Sequence, residues 1–159
     1  MSFTESSHIA ANNRIKTSDF LLWEKKFEHV MCFGTFDLFH PWHAYYLGES
    51  AKLGRDMTIV IARDHRVFSG KWRDPIHDEI SRAKIVQDHF PHAHVLLGHE
   101  SDIFAPIRDI WPDILAFGYD QHVPEAKLYE LFPDIEIIRI AWYQTETHKS
   151  TLHREKLMK

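Results

Sequence analysis

Five short apolar runs recur along this chain of 159 residues, and segments with helical apolar spacing separate them. The runs cover residues 30–33, 57–62, 94–97, 114–117 and 135–140, and the segments between them cover residues 42–53, 76–90, 103–111 and 124–132. Strands that alternate with helices of this length need right-handed crossovers, which place successive strands parallel. The pattern predicts the α/β class, with a single doubly wound, Rossmann-like domain around a mostly parallel five-stranded sheet.

Residues outside this alternation lie at the two ends of the chain. Before it, a short helix is predicted over residues 17–28, with Ser18 or Asp19 as its cap. We therefore divide the chain into an N-terminal extension, residues 1–28, and one domain over residues 29–159. A last helix is predicted to begin at Ser150 or Thr151.

The composition is ordinary for a globular domain, with 44% hydrophobic and 26% charged residues and a formal net charge of −4. This charge gives no electrostatic reason to expect nucleic-acid binding. One cysteine, Cys32, allows no disulfide framework, and no apolar stretch reaches the roughly 18 residues of a membrane helix. Since the first residues also lack an apolar signal segment, we expect a cytoplasmic protein that binds neither nucleic acid nor membranes.

The residues after the first apolar run have the composition of an anion site. Residues 31–43 read MCFGTFDLFHPWH, in which the run closes on Gly34 and a helix restarts at Pro41. Backbone N–H groups at a helix start, together with the positive end of the helix dipole, attract phosphate. His40 and His43, at positions i and i+3, would lie on the first turn. The segment predicts chemistry on a nucleotide phosphate.

Thirteen histidines are many for this length, and a metal-binding protein is one alternative that they raise. Most of them are scattered without the spacing of metal ligands. Only His40 and His43 stand beside a predicted phosphate site. We therefore predict no metal bound by the histidines.

The pattern G-T-F-D-x-x-H-x-x-H resembles the signature of the cytidylyltransferase-like nucleotidyltransferases. That family includes cytidylyltransferases for glycerol 3-phosphate, phosphocholine and phosphoethanolamine, and the archaeal-type FAD synthases that adenylate FMN. The resemblance implies transfer of AMP or CMP from ATP or CTP to a phosphorylated acceptor, with release of pyrophosphate and with Mg²⁺ carried by the nucleotide. Because the family often forms homodimers, a homodimer is a further expectation.

The resemblance also implies roles for the residues of the signature. His40 and His43 would contact the triphosphate and stabilise the transition state and the departing pyrophosphate. The turn before them would touch the phosphates through Gly34, Thr35 and Phe36. Asp37 either organises this turn or holds Mg²⁺.

Basic residues in three other segments match the family. Residues 62–73 predict a flexible loop, in which Lys71 and Arg73 resemble a K-G-R-x-P pattern that closes over the triphosphate; a solvated basic loop is the alternative. Arg82 matches the arginine of the following family helix, with an ion pair at the core edge as the alternative. Near the end, a further group resembles a segment that grips phosphate: Lys149, Ser150, Thr151 and Arg154.

Residues 117–121, FGYDQ, resemble the L-G-x-D element of the family and are closest in wording to the archaeal-type FAD synthases. In that element the aspartate and its neighbours lie near the ribose and base, which assigns Gly118, Asp120 and Gln121 to the nucleotide. A tight turn without a ligand is the alternative. FMN adenylylation is the favoured reaction, and cytidylylation of glycerol 3-phosphate or another phospho-alcohol is the runner-up.

Trp42 departs from the family pattern H-x-G-H, since it stands where the family has glycine. Its indole either turns away and stacks on the base from the side, or fills part of the nucleobase pocket. The first arrangement preserves an enzyme and makes Trp42 a nucleotide-binding residue. The second predicts a non-catalytic nucleotide-binding domain, which stays an alternative function.

Overall fold

The computed structural model describes residues 27–71 and 73–141, and all five apolar runs form strands of one sheet in this part of the chain. In chain order the elements are β1 (Phe27–Gly34), α1 (Pro41–Ala51), β2 (Gly54–Ile61), α2 (Asp64–Lys71), α3 (Glu79–His89), β3 (His94–Leu97), α4 (Ala105–Ile110), β4 (Ile114–Gly118), α5 (Glu125–Leu131) and β5 (Glu136–Ile140). The sheet order is β3-β2-β1-β4-β5, and every neighbouring pair is parallel. The predicted fold class is confirmed.

The chain reverses its direction of travel across the sheet next to β1. From β1 it moves outward to β2 and β3, then returns to β4 on the other side of β1 and continues to β5. The connections after β1 and β4 therefore diverge, and this leaves a crevice at the carboxyl ends of the two strands. Residues that follow these strands are the ones placed to meet a ligand.

Both faces of the sheet are covered, which explains why its strands are continuous apolar runs. Successive residues of β1 enter opposite cores, since Val30 packs with Tyr46 and Leu47 of α1 whereas Met31 packs with Ile107 of α4 and Leu128 of α5. Of the helices in the described ranges, none is long and apolar enough to cross a membrane.

The predicted flexible loop over residues 62–73 is wrong, because residues 64–71 form helix α2. This helix is tied to the start of α3 by a reciprocal pair of bonds. The Asp64 N–H donates to Glu79 Oε2 at 2.9 Å, and the Glu79 N–H donates to Asp64 Oδ2 at 3.2 Å. The first N–H groups of a helix have no partner within the helix. Here the Glu79 carboxylate accepts one such N–H at the start of α2, and the Asp64 carboxylate accepts one at the start of α3.

The helix predicted over residues 17–28 is wrong at its end, because Phe27 and Glu28 belong to β1. A residue distant in sequence fixes them there. The Asp113 carboxylate, just before β4, accepts the N–H groups of Glu28 at 3.0 Å and His29 at 2.8 Å. Residues 17–26 and the helix predicted near the C-terminus lie outside the described residues.

Candidate functional site

The turn after β1 is wound tightly around a buried aromatic ring. Phe36 is 2% exposed, and a Cβ on Gly34 would lie 2.6 Å from its Cζ atom, so only glycine leaves room for this ring. Phe36 and Leu38 both have positive φ angles, of 54° and 51°. Such backbone is uncommon outside glycine and is found where surrounding structure holds it in place.

Asp37 is one of the groups that hold the turn. Its carboxylate accepts the N–H of Ile76 at 2.8 Å and the N–H of His77 at 3.1 Å, with one oxygen for each. Burial raises the pKa of this carboxyl, but the two backbone hydrogen bonds and the His77 side chain together hold the pKa below its usual value. Asp37 therefore links the turn to the segment before α3, and its oxygens do not fit the role of free Mg²⁺ ligands.

Arg82 holds the same region from beneath. Its side chain is fully buried, and its Nη1 donates to the Thr35 carbonyl at 2.7 Å. Nη2 donates to the Ala62 carbonyl at 2.8 Å and to Asp64 Oδ1 at 2.6 Å, and Nε donates to the His77 carbonyl at 3.0 Å. The geometry supports an ion pair at the edge of the core, in which the fully buried Arg82 positions the turn.

The two signature histidines meet at the start of α1. His40 is the N-cap, Pro41 is the first helical residue, and the rings of His40 and His43 stack with centroids 3.7 Å apart. The His40 N–H donates to His43 Nδ1 at 3.4 Å. An accepting Nδ1 puts the proton of a neutral imidazole on Nε2, so His43 has a hydrogen-bond donor at its far nitrogen.

Trp42 lies across the crevice and contacts the turn after β4. Its Cζ2 atom is 3.3 Å from the position that a Cβ on Gly118 would take, and its ring meets that of Tyr119 edge to face at 5.0 Å. On its other side it is nearly parallel to Tyr46, at 6.3 Å. The half-buried indole thus forms a wall between the start of α1 and the FGYDQ segment.

Gln121 bridges β1 and β4 beyond the end of their ladder. The last paired residues are Cys32 and Ala116, although both strands continue for two residues. Past that point the Gln121 amide donates to the Phe33 carbonyl at 2.7 Å and accepts the Gly118 N–H at 2.6 Å. Its side chain already bonds to backbone, which favours a structural role over contact with a base.

Two further residues build this crevice and were not assigned a role from the sequence. Tyr46 donates its hydroxyl proton to the Ala116 carbonyl at 2.5 Å and accepts the Phe33 N–H at 3.3 Å, so it occupies the gap between the strands. Arg139 on β5 donates to the carbonyls of Gly118 and Gln121 and pairs with Glu125 at 2.6 Å. An arginine among the apolar residues of β5, a strand whose other charged residue is Glu136, was the available signal for Arg139.

The structure brings most of the predicted site residues to the carboxyl ends of β1 and β4. They are Gly34, Thr35, Phe36, Asp37, His40, Trp42, His43, Gly118, Asp120 and Gln121. Arg73 is exposed in the segment after α2, and Lys71 is the last residue of that helix. Lys149, Ser150, Thr151 and Arg154 lie outside the described residues. Across residues 27–71 and 73–141, His, Cys, Asp and Glu side chains form no group of three or more that could hold a metal ion.

We expect Arg82→Met to lower the free energy of unfolding by about 3 kcal/mol, because it leaves three carbonyls and Asp64 without their buried donor. Lys84→Met on the same helix is the matched control, since Lys84 is exposed and its ion pair, with Asp88 at 3.7 Å, lies at the surface. The control should change the value by less than about 0.5 kcal/mol. Urea unfolding measures both, and equal midpoints for the two variants would contradict the role of Arg82.

This chain is similar to known proteins over most of its length. A sequence model of the cytidylyltransferase-like family matches residues 31–156. The FAD synthase of Thermoplasma acidophilum is 38% identical over 133 residues, which cover 81% of this chain and 93% of that protein. The FAD synthase of Methanolacinia petrolearia is 40% identical over 123 residues, which cover 75% of this chain and 82% of that protein.

Solved structures share the fold. A protein from Thermoplasma volcanium, described as a lipopolysaccharide core biosynthesis protein, is 35% identical and superposes with a TM-score of 0.69 over 74% of this chain and 99% of that one. A protein of unknown function from Archaeoglobus fulgidus superposes with a TM-score of 0.63 at 18% identity, over 75% of this chain and 93% of that one. The second likeness concerns the fold alone.

Proposed function

The chain belongs to the cytidylyltransferase-like family and is a nucleotidyltransferase, and from this premise we propose that it transfers AMP from ATP to FMN. In this reaction a phosphate oxygen of FMN attacks the α-phosphorus of ATP. The new P–O bond forms as the bond from the α-phosphorus to the bridging oxygen breaks, which yields FAD and pyrophosphate. The relatives' name, FAD synthase, supports the choice of FMN. The segment FGYDQ at residues 117–121, which resembles that of the archaeal-type FAD synthases, supports it as well.

The observation that carries this proposal is the pair of stacked imidazoles at the N-terminus of α1. Phosphoryl-type transfer needs the reacting groups in line and the developing negative charge offset. The first turn of α1 supplies oriented N–H groups and the positive end of its dipole. His43, with its proton on Nε2, supplies a donor for the leaving pyrophosphate. The His40 ring stacks on the His43 ring and contacts the same leaving pyrophosphate in this proposal.

The base is assigned to the β4 half of the crevice. There the rings of Trp42 and Tyr119 meet edge to face. They lie beside the turn that Gln121 and Arg139 hold in place. Where the family pattern has bare glycine backbone, this chain offers an indole on which a purine stacks. Trp42 thus shapes the nucleotide site, and Asp120 lies exposed on the turn beside it.

Mg²⁺ is proposed to enter with ATP as part of the substrate. Asp37, the carboxylate nearest the signature histidines in sequence, is engaged by two backbone N–H groups. No step in this proposal depends on a protein-held metal. The cytoplasmic location and the homodimer stay predictions, and sedimentation of the full chain measures the second.

The reaction is tested by incubating the full chain with MgATP and FMN and measuring FAD and pyrophosphate together. We expect both products in equal amounts. His43→Ala should lower kcat by about two orders of magnitude or more, on the scale of a lost transition-state donor. His92→Ala, an exposed histidine in the loop after α3, is the control and should leave kcat unchanged. Product from CTP and glycerol 3-phosphate instead of ATP and FMN would favour the runner-up reaction.

Trp42→Gly separates the two arrangements of the indole. If the base stacks on Trp42, the KM for ATP rises by about tenfold, since stacking on one aromatic side chain contributes about 1–3 kcal/mol. The smaller ring of CTP should lose less. Trp111→Gly is the control, because Trp111 is half-exposed after α4 and its φ angle of 50° suits glycine. A higher kcat/KM for ATP in Trp42→Gly would show that the indole obstructs the nucleotide.

A further inference from the structure

An exposed tryptophan lies at the edge of the sheet opposite the candidate site. Trp111 directly follows α4 and comes three residues before β4, so it lies at the amino ends of the strands, and it is 52% exposed. Its ring meets the buried ring of Phe132 edge to face at 5.5 Å. Leu131, the residue before Phe132, is 38% exposed. We call these three residues the Trp111 face, and the proposed reaction gives this face no role.

The backbone conformation of Trp111 is unfavourable for a large side chain. Its φ and ψ angles of 50° and 65° lie in the left-handed region, where a helix usually ends on glycine or asparagine. Glycine would adopt the same conformation without strain. The chain nevertheless presents an indole here and leaves about half of it exposed. A further contact on the outer side of the ring would offset this strain.

Acidic side chains lie beside the Trp111 face. Three exposed carboxylates occupy the residues that follow its members in the chain, and they are Asp113, Asp134 and Glu136. The Glu136 N–H donates to the Asp113 carbonyl at 3.1 Å, which joins the start of β5 to the segment after Trp111. A partner for this face therefore needs an apolar centre flanked by basic side chains.

The segment immediately before β1 has this composition. Residues 14–26 read RIKTSDFLLWEKK, in which four consecutive apolar residues, FLLW, stand between basic residues on both sides. The segment carries four basic and two acidic side chains, so its net charge is opposite to that of the carboxylates beside the Trp111 face. Residues 14–26 lie outside the described residues, and the described part of the chain begins at β1.

A short tether joins this segment to the Trp111 face. The Asp113 carboxylate accepts the Glu28 N–H at 3.0 Å, and Asp113 is two residues after Trp111. Trp23 is five residues before Glu28, and five residues span at most about 17 Å when extended. A short tether gives its segment an effective concentration of order millimolar, which favours contact within one chain over contact with a second copy.

We propose that residues 14–26 dock on the Trp111 face of the same chain. The apolar residues of the segment lie against the indole of Trp111, and its basic residues lie beside the three carboxylates. Docking removes the exposed ring from water and closes the amino-terminal edge of the sheet. This interaction does not depend on the proposed reaction, because the candidate site lies at the opposite edge.

Trypsin measures the docking directly, since it cleaves after basic residues and the segment contains several. Cleavage after Lys16, Lys25 and Lys26 of the full chain is followed by mass spectrometry. When docking is fast relative to cleavage, the cleavage rate is proportional to the fraction of chains in which the segment is undocked. A variant that weakens docking is therefore cleaved faster at these positions.

Two single variants remove the two rings of the proposed contact. Trp111→Gly removes the indole of the face and keeps a residue that suits the positive φ angle. Trp23→Ser removes the indole of the segment. Phe68→Ser is the matched control, because Phe68 is an aromatic residue on α2 that is 46% exposed. The thermal midpoint of each variant checks that the domain stays folded.

We expect Trp111→Gly and Trp23→Ser each to raise the cleavage rate by about tenfold, on the scale of one aromatic contact and the apolar area that it buries. The double variant should be cleaved no faster than the faster single variant, because both changes remove the same contact. Phe68→Ser should leave the rate within about twofold of wild type.

An unchanged cleavage rate in Trp111→Gly would overturn the proposal. Single-variant effects that multiply in the double variant would overturn it as well, because they would show that the two rings act independently. Dilution of the wild-type chain from about 100 μM to about 1 μM should leave the cleavage rate constant unchanged. A rate constant that rises on dilution would show that the segment docks on a second copy and would overturn docking within one chain.

Discussion

The buried guanidinium of Arg82 holds the ends of β1 and β2 together with the segments that begin α2 and precede α3. Its four bonds join the carbonyls after β1 and β2, the segment before α3, and the first carboxylate of α2. A buried charge is stable only when such partners surround it. The tight turn at Phe36 and the helix start that follows it at His40 therefore depend on one fully buried side chain.

A second set of side chains holds the ends of β1 and β4 together. Tyr46 and Gln121 replace the missing backbone ladder between the last residues of β1 and β4, and Arg139 anchors the turn that follows. Side-chain bonds keep the two strands joined while leaving their ends open as a crevice. The stacked histidine pair lies at the start of α1 beside this crevice, and under the proposed function it contacts the phosphates of the nucleotide.

The fold and the place of the site were predictable from the sequence, because buried parallel strands read as continuous apolar runs and their carboxyl ends share one edge. The bounds predicted for β3 match the structure. The predictions that were wrong concern segments held by contacts with residues distant in the sequence. Helix α2 has one buried apolar residue, Val67, and is fixed by Glu79. The Gln121 amide bonds to Phe33, 88 residues away in the sequence, which no local pattern reveals, and the assignment of Gln121 to the nucleotide stays a prediction.

The central claim is that the histidine pair binds the triphosphate while the base stacks on Trp42, and a crystal structure with FMN and a non-hydrolysable ATP analogue tests it most directly. We predict that the triphosphate lies at the N-terminus of α1 within hydrogen-bond distance of His43, and that the adenine lies against Trp42. A nucleotide bound on the β3 side, or phosphates that contact neither histidine, would contradict the account.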